Sequence, residues 1–307
     1  MVLSNSAREL IRPSEEVADA LSSGVAIVAL ESTVYSNLGL PTPHNERALR
    51  ECIAAIREAG AVPCVTAVVD GVMRAGLEET EYERVLGEAT KAAERDLAVA
   101  VGQGWPVGAT TVSASLAISE AVGIRVFATG GIGGVHRQSE VTGDISADLS
   151  AIARYGVATI SAGIKSFLDL GKSLELLETL GATVVGWKTD ALPSFTARSS
   201  AHKLAHRVDE LDELAAIATA RLAFGRGMLI TNPVPVEAAL DQQIHDDALA
   251  QALVDAEAAG VVGAAVTPFV LERIVEASGG ASVDANVALV ANNCRLAGQL
   301  AASLAAG

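Results

Sequence analysis

The chain has 307 residues, half of them hydrophobic but only 3% aromatic. This length allows one large domain or two small ones and is enough for a substantial core. Its formal net charge of −15 disfavours nucleic-acid polymers as partners, because neutralising their phosphates requires a basic patch and the sequence has none. The sequence also has no apolar run of membrane-spanning length, no signal-peptide pattern and only three scattered cysteines, so we expect a cytoplasmic protein without a membrane partner.

Short strands and helices alternate along most of the sequence. The predicted elements up to residue 129 are a helix at 14–22, a strand at 24–30, a helix at 45–60, a strand at 61–69, a helix at 78–87, a strand at 97–101, a helix at 108–122 and a strand at 126–129. They are followed by a strand at 157–162, a helix at 167–180, a strand at 182–187, a helix at 211–224, a strand at 228–231 and then helices alone, at about 245–259, 267–277 and 284–304. This alternation predicts an α/β sandwich with a largely parallel sheet, whose functional loops gather at the carboxyl ends of its strands. The sequence contains no linker or repeat, so residues 1–307 are predicted to form a single domain.

A glycine-rich loop follows the strand that ends at Thr129. Its four glycines let the backbone approach an anionic ligand without a Cβ in the way. They are Gly130, Gly131, Gly133 and Gly134. Asp144, Ser146 and Asp148 then mark the start of a helix, with Ser146 as its N-cap, and this arrangement suggests a phosphate held through a divalent metal. A tight turn followed by an ordinary capped helix accounts for the same residues, and the loop matches neither a dinucleotide nor a Walker fingerprint.

Two ionisable residues stand after predicted strands. Burial at a strand end raises the pKa of a carboxyl such as Glu31 toward the range useful for proton transfer, although a solvated glutamate is the alternative. Lys165 occupies a similar place, where a desolvated amine can act as a nucleophile and a salt-bridged lysine is the alternative. Lys91 can pair with phosphate or complement a helix dipole. Together with Val112 and the glycine loop, these residues are expected at one edge of the sheet.

Three asparagines fall inside the otherwise apolar terminal helix. They are Asn286, Asn292 and Asn293. A buried amide needs hydrogen-bond partners, so these side chains are expected to contact either a ligand or a neighbouring helix.

Motifs along nearly the whole chain resemble those of the pseudouridine-5′-phosphate glycosidase family, which is also called the indigoidine synthase A-like family. In family order they are VALESTVYSNLG, GAVPCVTAVVDGVMRAGL, GATTV, FATGGIGGVHR, TGDISADL, SAGIKSFLDL, ALPSF, NPVP and VTPFVLERI. The resemblance implies an α/β/α sandwich around a large, mostly parallel mixed sheet, assembled as a homotrimer. It also implies an enzyme of pseudouridine and nucleobase catabolism that reversibly splits pseudouridine 5′-phosphate, with water, into uracil and ribose 5-phosphate, using a divalent cation that is usually Mn²⁺.

The same resemblance assigns roles to individual residues. Glu31 matches the family's proton donor, Lys165 its covalent nucleophile and Asp144 its metal ligand. The residues that match substrate contacts are Lys91, Val112, Ser146, Ala147, Asp148 and Asn286. A lysine suits this reaction because a carbon–carbon glycosidic bond has no leaving-group lone pair to protonate, whereas a sugar attached to an amine can give up the base as an iminium forms.

The chain departs from the family pattern at three places. The segment YSNLGLP replaces a histidine-glycine-methionine-proline version, Ala264 replaces a lysine, and Glu94 replaces the first basic residue of a pair that ends at Arg95. These changes keep open a related lysine-dependent C-nucleotide or sugar-phosphate lyase that acts on another base. A catalytically silent nucleotide sensor is a further alternative, but it leaves Glu31 and Lys165 without a role.

Overall fold

Eleven strands form one mixed sheet in the computed structural model, which describes residues 5–261 and 266–306. The strands are β1 Ile11–Pro13, β2 Ile27–Leu30, β3 Val62–Val69, β4 Val72–Ala75, β5 Thr90–Ala92, β6 Val107–Thr110, β7 Val126–Ala128, β8 Ala158–Ser161, β9 Thr183–Trp187, β10 Arg207–Val208 and β11 Met228–Thr231. Their order is β1-β4-β3-β2-β7-β8-β11-β9-β10, with β6 also paired to β3 and β5 paired to β6. Among the described strands the antiparallel pairs are β3 with β4 and β3 with β6. The predicted mixed and mostly parallel sheet is therefore confirmed.

Helices cover both faces of this sheet. The α-helices are α1 Asn5–Glu9, α2 Glu15–Ser23, α3 His44–Glu58, α4 Glu79–Leu86, α5 Leu97–Gln103, α6 Val112–Val122, α7 Ser139–Thr142, α8 Ala147–Arg154, α9 Leu170–Thr179, α10 Leu211–Ala223, α11 Gln242–Ala258, α12 Val266–Ala277 and α13 Ala281–Ala306. Alternate residues of β2 enter opposite cores: Val28 and Leu30 pack with α3, α10 and α13, whereas Ile27 and Ala29 pack with α2, α6 and α8. The fold is thus the α/β/α sandwich that the resemblance implied.

Two predicted elements are wrong. Residues 97–101 form the start of helix α5 rather than a strand, and only Leu97 and Ala100 of this helix are buried. A short apolar run cannot distinguish a helix from a strand, and here the burial follows the helical spacing of three. Conversely, the start of the predicted 108–122 helix is strand β6, and α6 begins at Val112. Gly108 fits the crowded sheet, since a Cβ there would lie 3.1 Å from the Cβ of Val68.

The strand order explains where a site can form. The parallel neighbours β2, β7, β8 and β11 end at the same edge of the sheet, so the residues that follow them come together. Strand β6 reaches the same edge because β3 is long enough to pair with β2 through its first half and with β6 through its second. Among the described residues, each helix is too short or too polar to cross a membrane. Ala264 lies outside the described residues.

Candidate active site

Glu31 follows β2 and is buried, with 6% of its surface exposed. The hydroxyl of Thr129, which follows β7, donates a hydrogen bond to Glu31 Oε1. Burial raises the pKa of Glu31 to about 7, and the charge of Asp148 also raises it, while Lys165, the Thr129 hydroxyl and Lys91 oppose the shift. A carboxyl with this pKa can both hold and release a proton near neutral pH, as a general acid must.

Lys165 lies on the loop after β8, alongside the glycine-rich loop. Its backbone N–H donates to the carbonyl of Ile132 at 3.1 Å, which fixes the two loops side by side. A Cβ on Gly131 would lie 2.6 Å from the ring of Phe195 and 3.5 Å from Cγ of Lys165. Glycine is therefore required where the loop passes between the aromatic ring and the lysine stem. The charge of Lys165 lowers the pKa of the Glu31 carboxyl, so the two side chains lie within electrostatic reach of each other.

The glycine-rich loop is held by the start of α8. Asp148 is 7% exposed, and its carboxylate accepts hydrogen bonds from the backbone N–H of Gly133 at 2.9 Å and of Ser113 at 3.1 Å. The predicted N-cap is confirmed, since Ser146 Oγ accepts from the N–H of Asp148 at 3.2 Å. Asp148 thus ties the glycine loop to the first turn of α6, which begins at Val112. Each Asp148 oxygen already accepts one of these backbone hydrogen bonds.

Asp144 and His136, which follow the glycine-rich loop in the sequence, lie next to each other. Asp144 Oδ2 lies 3.6 Å from His136 Nδ1, and the Asp144 carbonyl accepts from the His136 N–H at 3.0 Å. Burial lowers the pKa of His136, and the charges of Lys91 and Lys165 lower it further, while Asp144 opposes them. Asp144 and His136 therefore lie in the same charged region as the two lysines. No three His, Cys, Asp or Glu side chains within 5–261 and 266–306 come together as a metal cluster.

The terminal helix supports the loop from the other side. Asn293 is fully buried, and its amide donates to the carbonyls of Thr129 at 2.8 Å and Gly130 at 3.3 Å. Its oxygen accepts from Asn232 Nδ2 at 3.1 Å. Asn293 therefore binds loop backbone rather than a neighbouring helix. Asn286, one of the expected substrate contacts, lies beside Gly130 and lines a small cavity of about 50 Å³ whose other walls include Gly39–Pro41 and Phe195.

The structure thus brings most of the predicted site residues to one edge of the sheet, and it adds three that the sequence did not single out. These are Thr129, His136 and Phe195. Lys91 lies within the short strand β5 and is exposed, as is Ala147 in the first turn of α8. A larger cavity of about 340 Å³ has a different lining, which includes Arg137, Ser166 and His202 but neither Glu31 nor Lys165. The charges of Lys165, Asp148 and Lys91 all act on the buried carboxyl of Glu31, which makes this edge of the sheet the candidate active site.

Comparison with protein families gives a match over nearly the whole chain. Residues 16–303 match the family model described as indigoidine synthase A like protein. A pseudouridine-5′-phosphate glycosidase from Myxococcus xanthus is 48% identical over 300 residues, which cover 96% of this chain and 98% of the relative. A protein of the same name from Escherichia coli K12 is 43% identical, and the match covers 95% of each chain.

Solved structures share the fold. The prealnumycin C-glycosynthase AlnA, crystallised in complex with ribulose 5-phosphate, superposes with a TM-score of 0.89 at 36% identity, covering 97% of this chain and 98% of AlnA. An indigoidine synthase A-like protein from Thermotoga maritima superposes with a TM-score of 0.85 at 32% identity, and the match covers 96% of each chain.

Proposed function

We propose that this chain, which belongs to the indigoidine synthase A-like family, reversibly cleaves pseudouridine 5′-phosphate with water into uracil and ribose 5-phosphate. The names of its relatives support this reaction, and the sugar phosphate held by AlnA is of the same chemical class as the proposed product. One arrangement carries the proposal. Glu31 is a buried carboxyl with a pKa raised to about 7, and it lies within electrostatic reach of Lys165, which stands beside the glycine-rich loop. By the resemblance, we also propose a role in pseudouridine catabolism.

In the proposed mechanism the side-chain nitrogen of Lys165 attacks C1′ of the ribose. The bond between C1′ and the ring oxygen breaks, and Glu31 gives its proton to that oxygen. The nitrogen attached to C1′ then gives a proton to the Glu31 carboxylate. Its lone pair forms an iminium with C1′ as the carbon–carbon bond breaks, and Glu31 passes that proton to the departing uracil carbon. Water hydrolyses the iminium, which releases ribose 5-phosphate, restores the Lys165 amine and returns a proton to Glu31. The glycine loop allows this because it leaves room for the sugar against the backbone.

Asp144 is our proposed ligand for Mn²⁺ or another divalent cation. Its side chain is 34% exposed and therefore accessible, but the described residues supply no closed set of protein ligands around it. Hard cations are commonly held by one or two carboxylates with water and substrate phosphate oxygens, so Asp144 fits such an ion together with the 5′-phosphate. When bound, the cation neutralises the phosphate beside the acidic side chains. Lys91, Ser146 and the first turn of α8, with Ala147, are proposed to hold the remaining phosphate oxygens.

Replacing Asp144 by asparagine should weaken Mn²⁺ binding in the presence of ribose 5-phosphate by at least about tenfold, because a charged ligand is lost. Electron paramagnetic resonance of free Mn²⁺ measures this directly. The KM for pseudouridine 5′-phosphate should rise and should no longer respond to Mn²⁺. The exposed Asp212→Asn variant controls for the loss of a charge, and equal Mn²⁺ affinity in both variants would remove Asp144 from the metal site.

The reaction itself is tested by measuring uracil release from pseudouridine 5′-phosphate, with and without Mn²⁺, beside other C-nucleotides. Preference for another base would favour the alternative lyase, which the altered YSNLGLP segment supports because Gly39–Pro41 lies in the cavity beside Asn286. Tight binding without turnover would instead identify a nucleotide sensor. The resemblance further leads us to propose a homotrimer in the cytoplasm, which sedimentation and cell fractionation can test.

A further inference from the structure

The side chain of Thr129 contacts Glu31 through a hydrogen bond. Its side chain is buried at 1% exposure, and its hydroxyl has no hydrogen-bond partner other than Glu31 Oε1 among the described residues. A hydroxyl has one hydrogen to give and a carboxylate has none, so Thr129 donates and Glu31 accepts when the carboxyl is charged.

The position of Thr129 is fixed through its backbone. Its N–H donates to the carbonyl of Ile160 at 3.0 Å, and its carbonyl accepts from Asn293 Nδ2 at 2.8 Å. Asn293 is held in turn by Asn232, whose backbone N–H donates to the carbonyl of Ser161 at 2.8 Å. The strands β7, β8 and β11 and the helix α13 therefore all contribute to the placement of one hydroxyl. Buried polar chains of this kind, when fully hydrogen-bonded, hold side chains in a single arrangement.

We propose that Thr129 is a positioning residue for Glu31, and that its hydroxyl occupies Oε1 so that Oε2 is the oxygen that carries and delivers the catalytic proton. This inference rests on the proposed function, because it takes Glu31 as the proton donor. Oε2 makes no hydrogen bond to the described residues, which leaves it free for the substrate. Without Thr129, either oxygen could carry the proton, and the side chain could turn away from the sugar.

The pH dependence of this arrangement involves several charges around Glu31. Lys165 from the loop after β8 and Lys91 from β5 favour its charged form, whereas Asp148 from α8 disfavours it. The phenol of Tyr35 also lies within electrostatic reach. The Thr129 hydroxyl favours the charged form as well, so its removal should move the Glu31 pKa upward.

The Thr129→Val variant tests the proposal because it removes the hydroxyl and keeps the shape. We expect kcat to fall roughly 10- to 100-fold with little change in KM, because the hydrogen bond that holds the acid in one orientation is lost. We also expect the alkaline limb of the pH profile to move to higher pH. Thr129→Ser should restore both the rate and the limb, because serine returns the donor.

Thr159→Val is the matched control. Thr159 is also fully buried, on the neighbouring strand β8, but its hydroxyl has no hydrogen-bond partner in the described structure. The control should keep the wild-type rate and pH profile. If Thr129→Val behaves like Thr159→Val while Glu31→Gln is inactive, Thr129 does not position the acid. If Glu31→Gln is fully active, the failure lies instead in the proposed function.

Discussion

The Lys165→Arg variant is expected to lose turnover of pseudouridine 5′-phosphate by a factor on the order of 10⁴ or more. Arginine keeps a positive charge beside Glu31 and the glycine loop, but its guanidinium stays protonated and cannot attack C1′. The variant therefore separates a nucleophilic lysine from one that only supplies charge. Uracil release, followed over long incubations, measures the residual rate.

Trapping experiments complete this test. Borohydride reduction in the presence of ribose 5-phosphate should attach the sugar to the peptide that contains Lys165 and should leave the arginine variant unlabelled. Lys203→Met, at an exposed lysine, is the control and should be labelled and active like the wild type. Labelling at another lysine, or an arginine variant with normal turnover, would contradict the covalent mechanism.

The Glu31→Gln variant should lower kcat by about 10²- to 10⁴-fold, the usual contribution of a general acid. Glutamine fills the same space and can still accept the Thr129 hydrogen bond, but it has no proton to transfer. In the proposed mechanism the wild-type enzyme needs Glu31 in its protonated form, and burial raises the pKa of this carboxyl to about 7. The wild-type rate should therefore fall as the pH rises through about 7, and any activity left in the variant should not show this fall. The Glu88→Gln variant, at an exposed glutamate, is the control, and its rate should fall with pH like that of the wild type.

Although Glu31→Gln should lower kcat, it should raise the free energy of unfolding at high pH. The carboxyl has a pKa of 4.5 when solvated and about 7 when buried, so the folded state binds the proton more tightly than the unfolded state. The stability that this protonation contributes is full below pH 4.5 and is lost as the pH rises through about 7. At pH 8 the glutamine variant should be more stable than the wild type, by an amount that approaches roughly 3 kcal/mol. Urea unfolding at pH 4 and pH 8 measures the difference, and an equal effect at both pH values would contradict it.

Structural features that depend only on residues close together in the chain could be predicted from the sequence. The N-cap at Ser146 depends on the residue two positions later, and the alternation of strands and helices reflects the periodicity of apolar residues. The short run at 97–101 was wrongly predicted because it is too brief to show a period, and the burial of one helix face became visible only in the packed structure.

Features that depend on distant partners could not be predicted in the same way. Thr129 and Glu31 are 98 positions apart, and the residues around Thr129 give no local signal that its hydroxyl contacts a carboxyl. Phe195 has a φ of 59°, which is uncommon for a residue with a side chain. Its ring lies so close to Gly131 that a Cβ there would be 2.6 Å away, although the two residues are far apart in the sequence. The resemblance supplied Glu31, Lys165 and Asp144, but not the residues that orient them.

The contact between α13 and the glycine loop has a consequence for biosynthesis. Asn293 meets Thr129 across 164 positions of sequence, so a nascent chain can pair its central strands well before the ribosome makes the amide that holds the loop. Until that helix docks, two loop carbonyls lack their buried donor. An emerging polypeptide would then contain Glu31 and Lys165 before the loop beside them is held, and the proposed activity would appear only after α13 has docked.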